Sequence, residues 1–388
     1  MSRSFDAERG PVRLMQVVGA RPQFVKLAPV CRAIAAANAG SQRIENFIVH
    51  TGQHYDPAMS DVFFTELDIP EANLDLGVGS GSHGSQTARM LEALEAAMVE
   101  HRPDLVLTYG DTNSTLAATL AAAKLHVPLA HVEAGLRSFN RKMPEEVNRL
   151  VADQLSDLLF APTPEAMRNL ANEGLASRSR LVGDVMLDAI RAFAPVATAR
   201  SGILARLGLA PGSYLVATLH RAENTTLERL PPLLAALAAA GSPARPVIIP
   251  LHPRTANFMR DAGLALPEGA TLRTVQPLGY LDMIALVAHS RIVLTDSGGL
   301  QKEAFFLGRP CVTLREETEW VETVSGGGNI VAGTDPQRIL GAIDAWDAKL
   351  AGGEPDFSAA VREAFGDGAA SSKILTQSMD FLAGRTRP

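Results

Sequence analysis

The 388-residue chain carries 36 Lys and Arg against 42 Asp and Glu, and its net charge of −6 argues against a nucleic-acid binder. A hydrophobic content of 46% excludes a disordered chain, and the length predicts two domains. The two cysteines, Cys31 and Cys311, cannot build a disulfide framework or a cysteine zinc site. With no apolar stretch long enough to span a bilayer, we expect a cytoplasmic protein that contacts no membrane.

Short apolar runs alternate with helical patterns in the first half of the chain. Strands are predicted at residues 12–19, 47–52, 104–110, 128–133 and 157–163. Helices are predicted at residues 22–38, 86–101, 114–126 and 145–156. Alternation at this spacing is typical of βαβ units that form a parallel sheet.

The same alternation starts again in the second half. Strands are predicted at residues 213–220, 245–252, 271–277, 291–298 and 310–315, and helices at 227–241, 255–263, 281–290, 300–308 and 371–384. The fold class is therefore predicted as α/β, with two Rossmann-like domains whose parallel sheets face a central cleft. The first domain is predicted to span residues 1–185 and to be joined by the C-terminal helix 372–388, and the second spans 186–371.

Polar residues follow the predicted strands, at the sheet edge where open parallel sheets bind ligands. After the first strand, Arg21 lies at a predicted helix start and Lys26 one turn later, a placement that favours an anion. An ordinary turn with a surface arginine is the alternative interpretation. The block is not GxGxxG, so it does not indicate a Rossmann dinucleotide site.

Three carboxylates lie near strand ends or a helix start: Asp111, Glu133 and Glu145. Carboxylates that converge raise one another's pKa, so one can act as an acid while another acts as a base. Glu145 and Arg149 are spaced i, i+4 and share a helix face, which is also the spacing of an ordinary surface ion pair. For Asp111, a helix N-cap is the alternative.

The second half carries a candidate phosphate loop and a histidine pair. In the loop, Ser297 can cap a helix, Gly298 and Gly299 let backbone amides approach a phosphate, and Glu303 can accept from ribose hydroxyls. A capped helix without ligand is the alternative. His220, followed by Arg221, and His252 end two strands and suit a diphosphate, although a buried histidine is the usual alternative. No metal-ligand spacing appears, so we expect no metal site.

These blocks together resemble the non-hydrolysing UDP-N-acetylglucosamine 2-epimerase family, from about residue 12 to the end. The matching blocks are GARPQFVKLAPV, TGQH, GDTNSTLAATLAA, HVEAGLRS, MPEEVNR, GDVMLDA, LHRAENT, PLHPRT and LTDSGGLQKEA. The resemblance implies the GT-B-like fold of two-domain nucleotide-sugar glycosyltransferases. It also implies a UDP-sugar substrate, a homodimer, a role in polysaccharide biosynthesis, and a reaction that needs neither metal nor nicotinamide.

The reaction implied by the resemblance has two halves, in which UDP leaves C1 as the C2 proton is removed, and then adds back to the glycal. By motif match, Asp111, Glu133 and Glu145 are the acid–base candidates, and Arg149 orients Glu145. His220 is a further catalytic candidate, which would contact the diphosphate. The other matched residues bind substrate or UDP; they are Arg21, Lys26, Arg221, His252, Ser297, Gly298, Gly299 and Glu303.

Two blocks depart from the family pattern. An arginine in a TTERPE-like block is replaced by Trp320, which cannot supply its charge. The QHR-type block of an allosteric site reads Gln53-His54-Tyr55, which argues against activation by substrate. The RPQF, TGQHYD and TEWVE blocks resemble more closely the subgroup acting on UDP-2,3-diacetamido-2,3-dideoxy-glucuronate.

Three other functions fit the same motifs. A GT-B glycosyltransferase would transfer the sugar to an acceptor and needs no carboxylate trio. A hydrolysing epimerase would release free UDP and free sugar. A nucleotide-sugar sensor would bind UDP without turnover and would be insensitive to Asp111→Asn.

Overall fold

The computed structural model describes residues 10–53, 57–265 and 271–385, with the side chains of 57–61 excepted. The chain divides into two compact units: Met1–Ala189 with Phe365–Pro388, and Ile190–Ala364. Each unit is built around one sheet in which all paired strands are parallel. The predicted α/β class with two parallel sheets is therefore confirmed.

The first unit holds a seven-stranded sheet in the order β3-β2-β1-β4-β5-β6-β7. Its strands are β1 (Val12–Val18), β2 (Ile44–His50), β3 (Leu74–Asp75), β4 (Leu105–Tyr109), β5 (Leu129–Val132), β6 (Leu158–Ala161) and β7 (Ser179–Leu181). The second unit holds a six-stranded sheet in the order β10-β9-β8-β11-β12-β13. Its strands are β8 (Leu215–Thr218), β9 (Val247–Pro250), β10 (Leu272–Val275), β11 (Ile292–Thr295), β12 (Cys311–Thr313) and β13 (Asn329–Val331).

Helices connect the strands. In chain order they are α1 (Arg21–Ala39), α2 (Pro57–Glu66), α3 (His83–His101), α4 (Asn113–Lys124), α5 (Pro144–Leu155), α6 (Pro164–Asn172), α7 (Val185–Arg200), α8 (Ile203–Leu207), α9 (Leu230–Ala240), α10 (Pro253–Asp261), α11 (Tyr280–Ala288), α12 (Gly298–Phe306), α13 (Val321–Ser325), α14 (Pro336–Leu350), α15 (Ser358–Phe365) and α16 (Ala370–Ala383). Among the described residues, no helix combines the length and apolar character needed to cross a membrane.

The strands form where apolar side chains are continuous, because a parallel sheet is covered by helices on both faces. In the first unit, Met15 and Val17 of β1 and Val106 of β4 pack against Met90 and Leu94 of α3 in one buried cluster. The unpredicted strands β3, β7 and β13 are two or three residues long and show no usable periodicity. Helix α14 was also not predicted, although its Asp335 N-cap and Pro336 are recognised start signals.

The strand orders locate the two points where ligands bind in sheets of this kind. In the first sheet, the order reverses between β1 and β4, and in the second sheet it reverses between β8 and β11. Crevices open beyond the carboxyl ends of the strands at such reversals. The GARPQ and GDTNST blocks follow β1 and β4, while the LHRAENT and TDSGG blocks end β8 and β11. The motifs selected from the sequence therefore lie at the edge of each sheet where a ligand is expected to bind.

Candidate active site

The first unit gathers acidic and basic side chains at the carboxyl edge of β1, β4 and β5. We call Lys26, Asp111, Glu133 and Arg149 the carboxylate cluster, because each of its two carboxylates is paired with one of its two cations. Lys26, on the second turn of α1, places its Nζ 2.5 Å from Oε1 of Glu133, and both side chains are about 7% exposed. The sequence placed Lys26 and Glu133 near the same edge of the sheet, and in the structure they form an ion pair.

The backbone around this pair is unusually constrained. Glu133 has a φ of 73°, in the left-handed region that non-glycine residues seldom adopt. Gly110, which follows β4, has a φ of 61°, and a Cβ added to it would lie 2.9 Å from Nζ of Lys26 and 3.5 Å from Oε1 of Glu133. Only glycine lets the chain before Asp111 approach the ion pair this closely.

Asp111 is tied to helix α5 at two points. A guanidinium nitrogen of Arg149 donates to the Asp111 carboxylate, and Nδ2 of Asn148 donates to the Asp111 carbonyl at 2.9 Å. The other end of the guanidinium donates to Oε2 of Glu146 at 2.7 Å. Arg149 therefore links Asp111 to Glu146, a contact that the sequence analysis did not predict. Its proposed action on Glu145 stays a prediction.

Glu146, the residue after the chosen Glu145, holds the loop that leads into α5. It is 1% exposed, and its carboxylate accepts from the backbone N–H of Ser138 and of Phe139 at 2.9 and 3.0 Å. Glu145 itself is half-buried in the first turn of α5, where the helix dipole favours a carboxylate. Arg21 begins α1, and its guanidinium lies 4.8 Å from the ring centroid of Phe63.

The second unit holds a buried carboxylate, Asp296, between the ends of β8 and β11. It accepts from the backbone N–H of His220 and Arg221 and from Nδ2 of Asn224, each at about 3.1 Å. Nδ1 of His220 lies 3.2 Å from its other oxygen. The rings of His220 and His252 lie 5.5 Å apart, so the two chosen histidines are neighbours. His252 also caps α10, accepting from the backbone N–H of Arg254 at 3.2 Å.

The environment of Asp296 predicts a pH-dependent contribution to stability. Burial raises the pKa of its carboxyl, but the hydrogen bond and charge of His220 and the bonds from Arg221 and Asn224 outweigh burial and lower the pKa below its ordinary 3.8. A lowered pKa stabilises the fold above the ordinary value, and this stabilisation is lost as pH falls through the folded value. We expect Asp296→Asn to reduce the free energy of unfolding at pH 7, and the deficit to shrink below about pH 4.

Urea unfolding from pH 7 to pH 3 measures this difference. Asp335→Asn, at the exposed cap of α14, is the matched control. A deficit for Asp296→Asn that is constant over this range would contradict the assigned ionisation.

The candidate phosphate loop forms the start of α12, as predicted. Ser297 caps the helix, with its Oγ accepting from the backbone N–H of Leu300 at 3.4 Å. Gly298 lies against a carboxylate, because a Cβ added there would stand 2.4 Å from Oε1 of Glu319. Glu319 is held by Arg315 at 2.8 Å and lies 3.6 Å from Arg221. We call Arg221, Ser297, Gly298, Gly299, Arg315 and Glu319 the anion cradle, since two guanidinium groups lie against one carboxylate beside the start of α12.

Gly298→Ala is expected to weaken UDP binding about tenfold, because the added methyl group meets Glu319 and overpacked contacts commonly cost 1–3 kcal/mol. Isothermal titration with UDP measures the change. Gly341→Ala in α14 is the matched control, since a Cβ there meets nothing within 4 Å and alanine favours a helix. Unchanged UDP affinity in Gly298→Ala would show that this loop does not bind UDP.

Behind the cradle, Trp320 occupies the position where the family pattern has an arginine. The ring is 3% exposed, and Nζ of the buried Lys302 lies 3.6 Å from its centroid. A basic side chain thus lies against the ring at this place, in the geometry of a cation–π contact. Next to Lys302 in α12, Glu303 faces Tyr280: burial raises the pKa of Tyr280, and the Glu303 charge and hydrogen bond raise it further.

Several residues that hold these groups were not selected from the sequence: Glu146, Asp296, Arg315 and Glu319. Arg315 and Asp296 follow the ends of β12 and β11, the same signal that selected the others. Of the Gln53-His54-Tyr55 block, Gln53 accepts from the backbone N–H of Ser114, in the first turn of α4, at 3.0 Å. His54 and Tyr55 lie outside the described residues.

Comparison with known proteins identifies the family. The sequence model described as UDP-N-acetylglucosamine 2-epimerase matches residues 36–377. A UDP-N-acetylglucosamine 2-epimerase homolog of Methanococcus maripaludis is 45% identical over 94% of this chain and 98% of its own. The UDP-2,3-diacetamido-2,3-dideoxy-D-glucuronate 2-epimerase of Pseudomonas aeruginosa is 48% identical over 85% of this chain and 90% of its own.

Solved structures agree. The UDP-GlcNAc 2-epimerase of Methanocaldococcus jannaschii in complex with UDP-GlcNAc and UDP has a TM-score of 0.86 at 35% identity, covering 96% of this chain and 100% of that one. The Neisseria meningitidis enzyme bound to UDP-GlcNAc has a TM-score of 0.82 at 28% identity, with 95% and 100% covered. The fold is thus that of GT-B-like nucleotide-sugar enzymes. The chain belongs to the UDP-N-acetylglucosamine 2-epimerase family, which confirms the predicted family and enzyme class.

Proposed function

We propose that this protein interconverts the C2 epimers of a UDP-N-acetylhexosamine-type sugar by eliminating UDP and adding it back. In the first half, a base removes the proton from C2, the C1–O bond breaks, and its electron pair leaves with UDP, so that a C1=C2 double bond forms. In the second half, an acid protonates C2 on the opposite face and UDP re-forms the bond to C1. Atoms and charges balance, and no oxidant is consumed.

The observation that carries the proposal is the carboxylate cluster, in which Asp111 and Glu133 stand at one sheet edge, each against its own cation. Such pairs can hold one carboxylate ready to accept a proton while the other groups stabilise charge. Arg149 and Lys26 keep the two carboxylates in place. A glycosyltransferase needs no such set of carboxylates, so their presence favours epimerisation over sugar transfer.

The anion cradle supports the other half of the chemistry. The C2 proton is weakly acidic, so breaking the C1–O bond has to be assisted by stabilising the UDP leaving group. His220, Arg221 and the start of α12 supply the donors and positive charge for a diphosphate. The proposal requires the carboxylate cluster and the anion cradle to act on the same substrate molecule.

The relatives named above suggest two candidate substrates for this protein. These are UDP-N-acetylglucosamine, and UDP-2,3-diacetamido-2,3-dideoxy-glucuronate, whose P. aeruginosa epimerase is 48% identical to this chain. The RPQF and TEWVE blocks favour the second candidate. A homodimer and a role in polysaccharide biosynthesis remain predictions from the family resemblance, and a cytoplasmic location remains a prediction from the sequence. Sedimentation velocity tests the first of these.

The deciding experiment incubates the protein with each UDP-sugar in deuterated water. Deuterium at C2 of recovered substrate and of its epimer is the expected result, with the true substrate exchanging faster. Absence of deuterium with both sugars would refute the proposal. A coupled assay for free UDP runs alongside, because stoichiometric UDP release would indicate a hydrolysing epimerase instead.

A further inference from the structure

His131, in β5, is fully buried and has no part in the chemistry described above. Its Nε2 lies 2.7 Å from the carbonyl oxygen of Gly110, and its Nδ1 lies 2.7 Å from Oδ1 of Asp153. A carbonyl oxygen can only accept a hydrogen bond, and so can an ionised carboxylate. Both ring nitrogens therefore donate, which makes the side chain an imidazolium.

The charges around His131 are arranged to keep it in this form. Burial raises the pKa of Asp153, but the hydrogen bond and charge of His131 and the charge of Arg137 outweigh burial and lower it. Arg137 lies 2.7 Å from the other Asp153 oxygen, which also accepts from the N–H of Gly135 at 3.0 Å, and Arg137 pairs with Glu173 at 2.6 Å. Two cations thus face two anions, and the buried imidazolium is compensated.

Gly110 is the point through which His131 can affect the carboxylate cluster. Its carbonyl binds His131, its N–H donates to the carbonyl of Val132 at 3.0 Å, and its chain continues directly into Asp111. A Cβ added to Gly110 would lie 2.9 Å from Nζ of Lys26, so this residue also lies beside the Lys26–Glu133 pair. A shift of this one peptide would move Asp111 and loosen the ion pair together.

We infer that His131, as an imidazolium, is a positioning residue that holds the Gly110 carbonyl and thereby sets Asp111 against the Lys26–Glu133 pair. The inference rests on the proposed function for its effect on turnover. The protonation state itself is a property of the fold. Loss of the hydrogen bond between His131 and the Gly110 carbonyl would displace Asp111 and lower turnover.

Two substitutions test the two hydrogen bonds of His131 independently. In His131→Gln, the amide nitrogen can reach the place of Nε2 and donate to Gly110, whereas in His131→Asn the amide reaches only the place of Nδ1 and Asp153. We expect kcat to fall less than about tenfold in His131→Gln and about 10²-fold in His131→Asn, the size of effect that a misplacement of 1 Å produces. KM should stay within about twofold in both variants.

A second measurement does not depend on activity. Nitrogen-15 NMR of histidine-labelled protein distinguishes a ring with two N–H groups from a neutral tautomer, and we expect a doubly protonated ring at neutral pH. A neutral ring would overturn the inference, as would equal losses in the two variants with KM raised in parallel. If the wild type exchanges no deuterium at C2, the proposed function fails while the NMR result still decides the state of His131.

Discussion

Replacement of Asp111 by asparagine is expected to lower kcat by about 10²-fold or more, the usual contribution of a general acid or base, while UDP still binds. Asparagine has the same shape as aspartate and still accepts a hydrogen bond. The guanidinium of Arg149 therefore keeps two acceptors, the amide oxygen of the introduced asparagine and the carboxylate of Glu146. The fold should therefore survive, and what is removed is the ability to exchange a proton. Initial rates of epimerisation, with UDP affinity measured by titration, separate the two effects.

Glu100→Gln is the matched control for this substitution, because it also neutralises a carboxylate in the first unit but lies exposed on α3. It should leave kcat and UDP affinity unchanged. Normal turnover in Asp111→Asn would remove Asp111 from the chemistry and leave it as a structural partner of Arg149.

The Lys26–Glu133 pair gives the second large effect, on both turnover and stability. Glu133→Gln leaves a buried lysine charge uncompensated, which is expected to reduce the free energy of unfolding by about 3–5 kcal/mol and kcat by about 10²-fold. Lys26→Met removes the lysine charge that lies against the buried Glu133 carboxylate and should destabilise the fold similarly. Urea unfolding and initial rates measure the two effects on each variant.

The double variant Lys26→Met, Glu133→Leu distinguishes a structural pair from a catalytic one. Replacing both ions of a buried pair by apolar groups is often neutral for stability, so the double variant should regain most of the lost free energy of unfolding. It should not regain turnover, since it has no carboxylate at this place. A stable and fully active double variant would show that the pair serves only the fold.

The motifs of the second half were predictable because they are local. A strand that ends in Asp-Ser-Gly-Gly before a helical pattern specifies a capped helix start, and Ser297 and Gly298 occupy it. The carboxylates could be assigned to one sheet edge by the same reasoning, since parallel strands place their carboxyl ends together. By contrast, the pairing of Arg149 with Asp111 and Glu146 was missed. Helix spacing allows both Glu145 at i,i+4 and Glu146 at i,i+3, and Asp111 lies 38 positions away in the sequence.

Apolar periodicity and the turn and cap residues between the periodic segments are short-range properties. They were enough to predict two parallel α/β sheets and the sheet edges at which the candidate site residues lie. Which side chains meet at those edges depends on contacts between distant segments. Lys26 and Glu133 are 107 positions apart, and Gly110 and His131 meet only because β4 lies beside β5. Whether a buried carboxylate faces lysine, arginine or imidazolium follows from strand order and close packing, which no local pattern encodes.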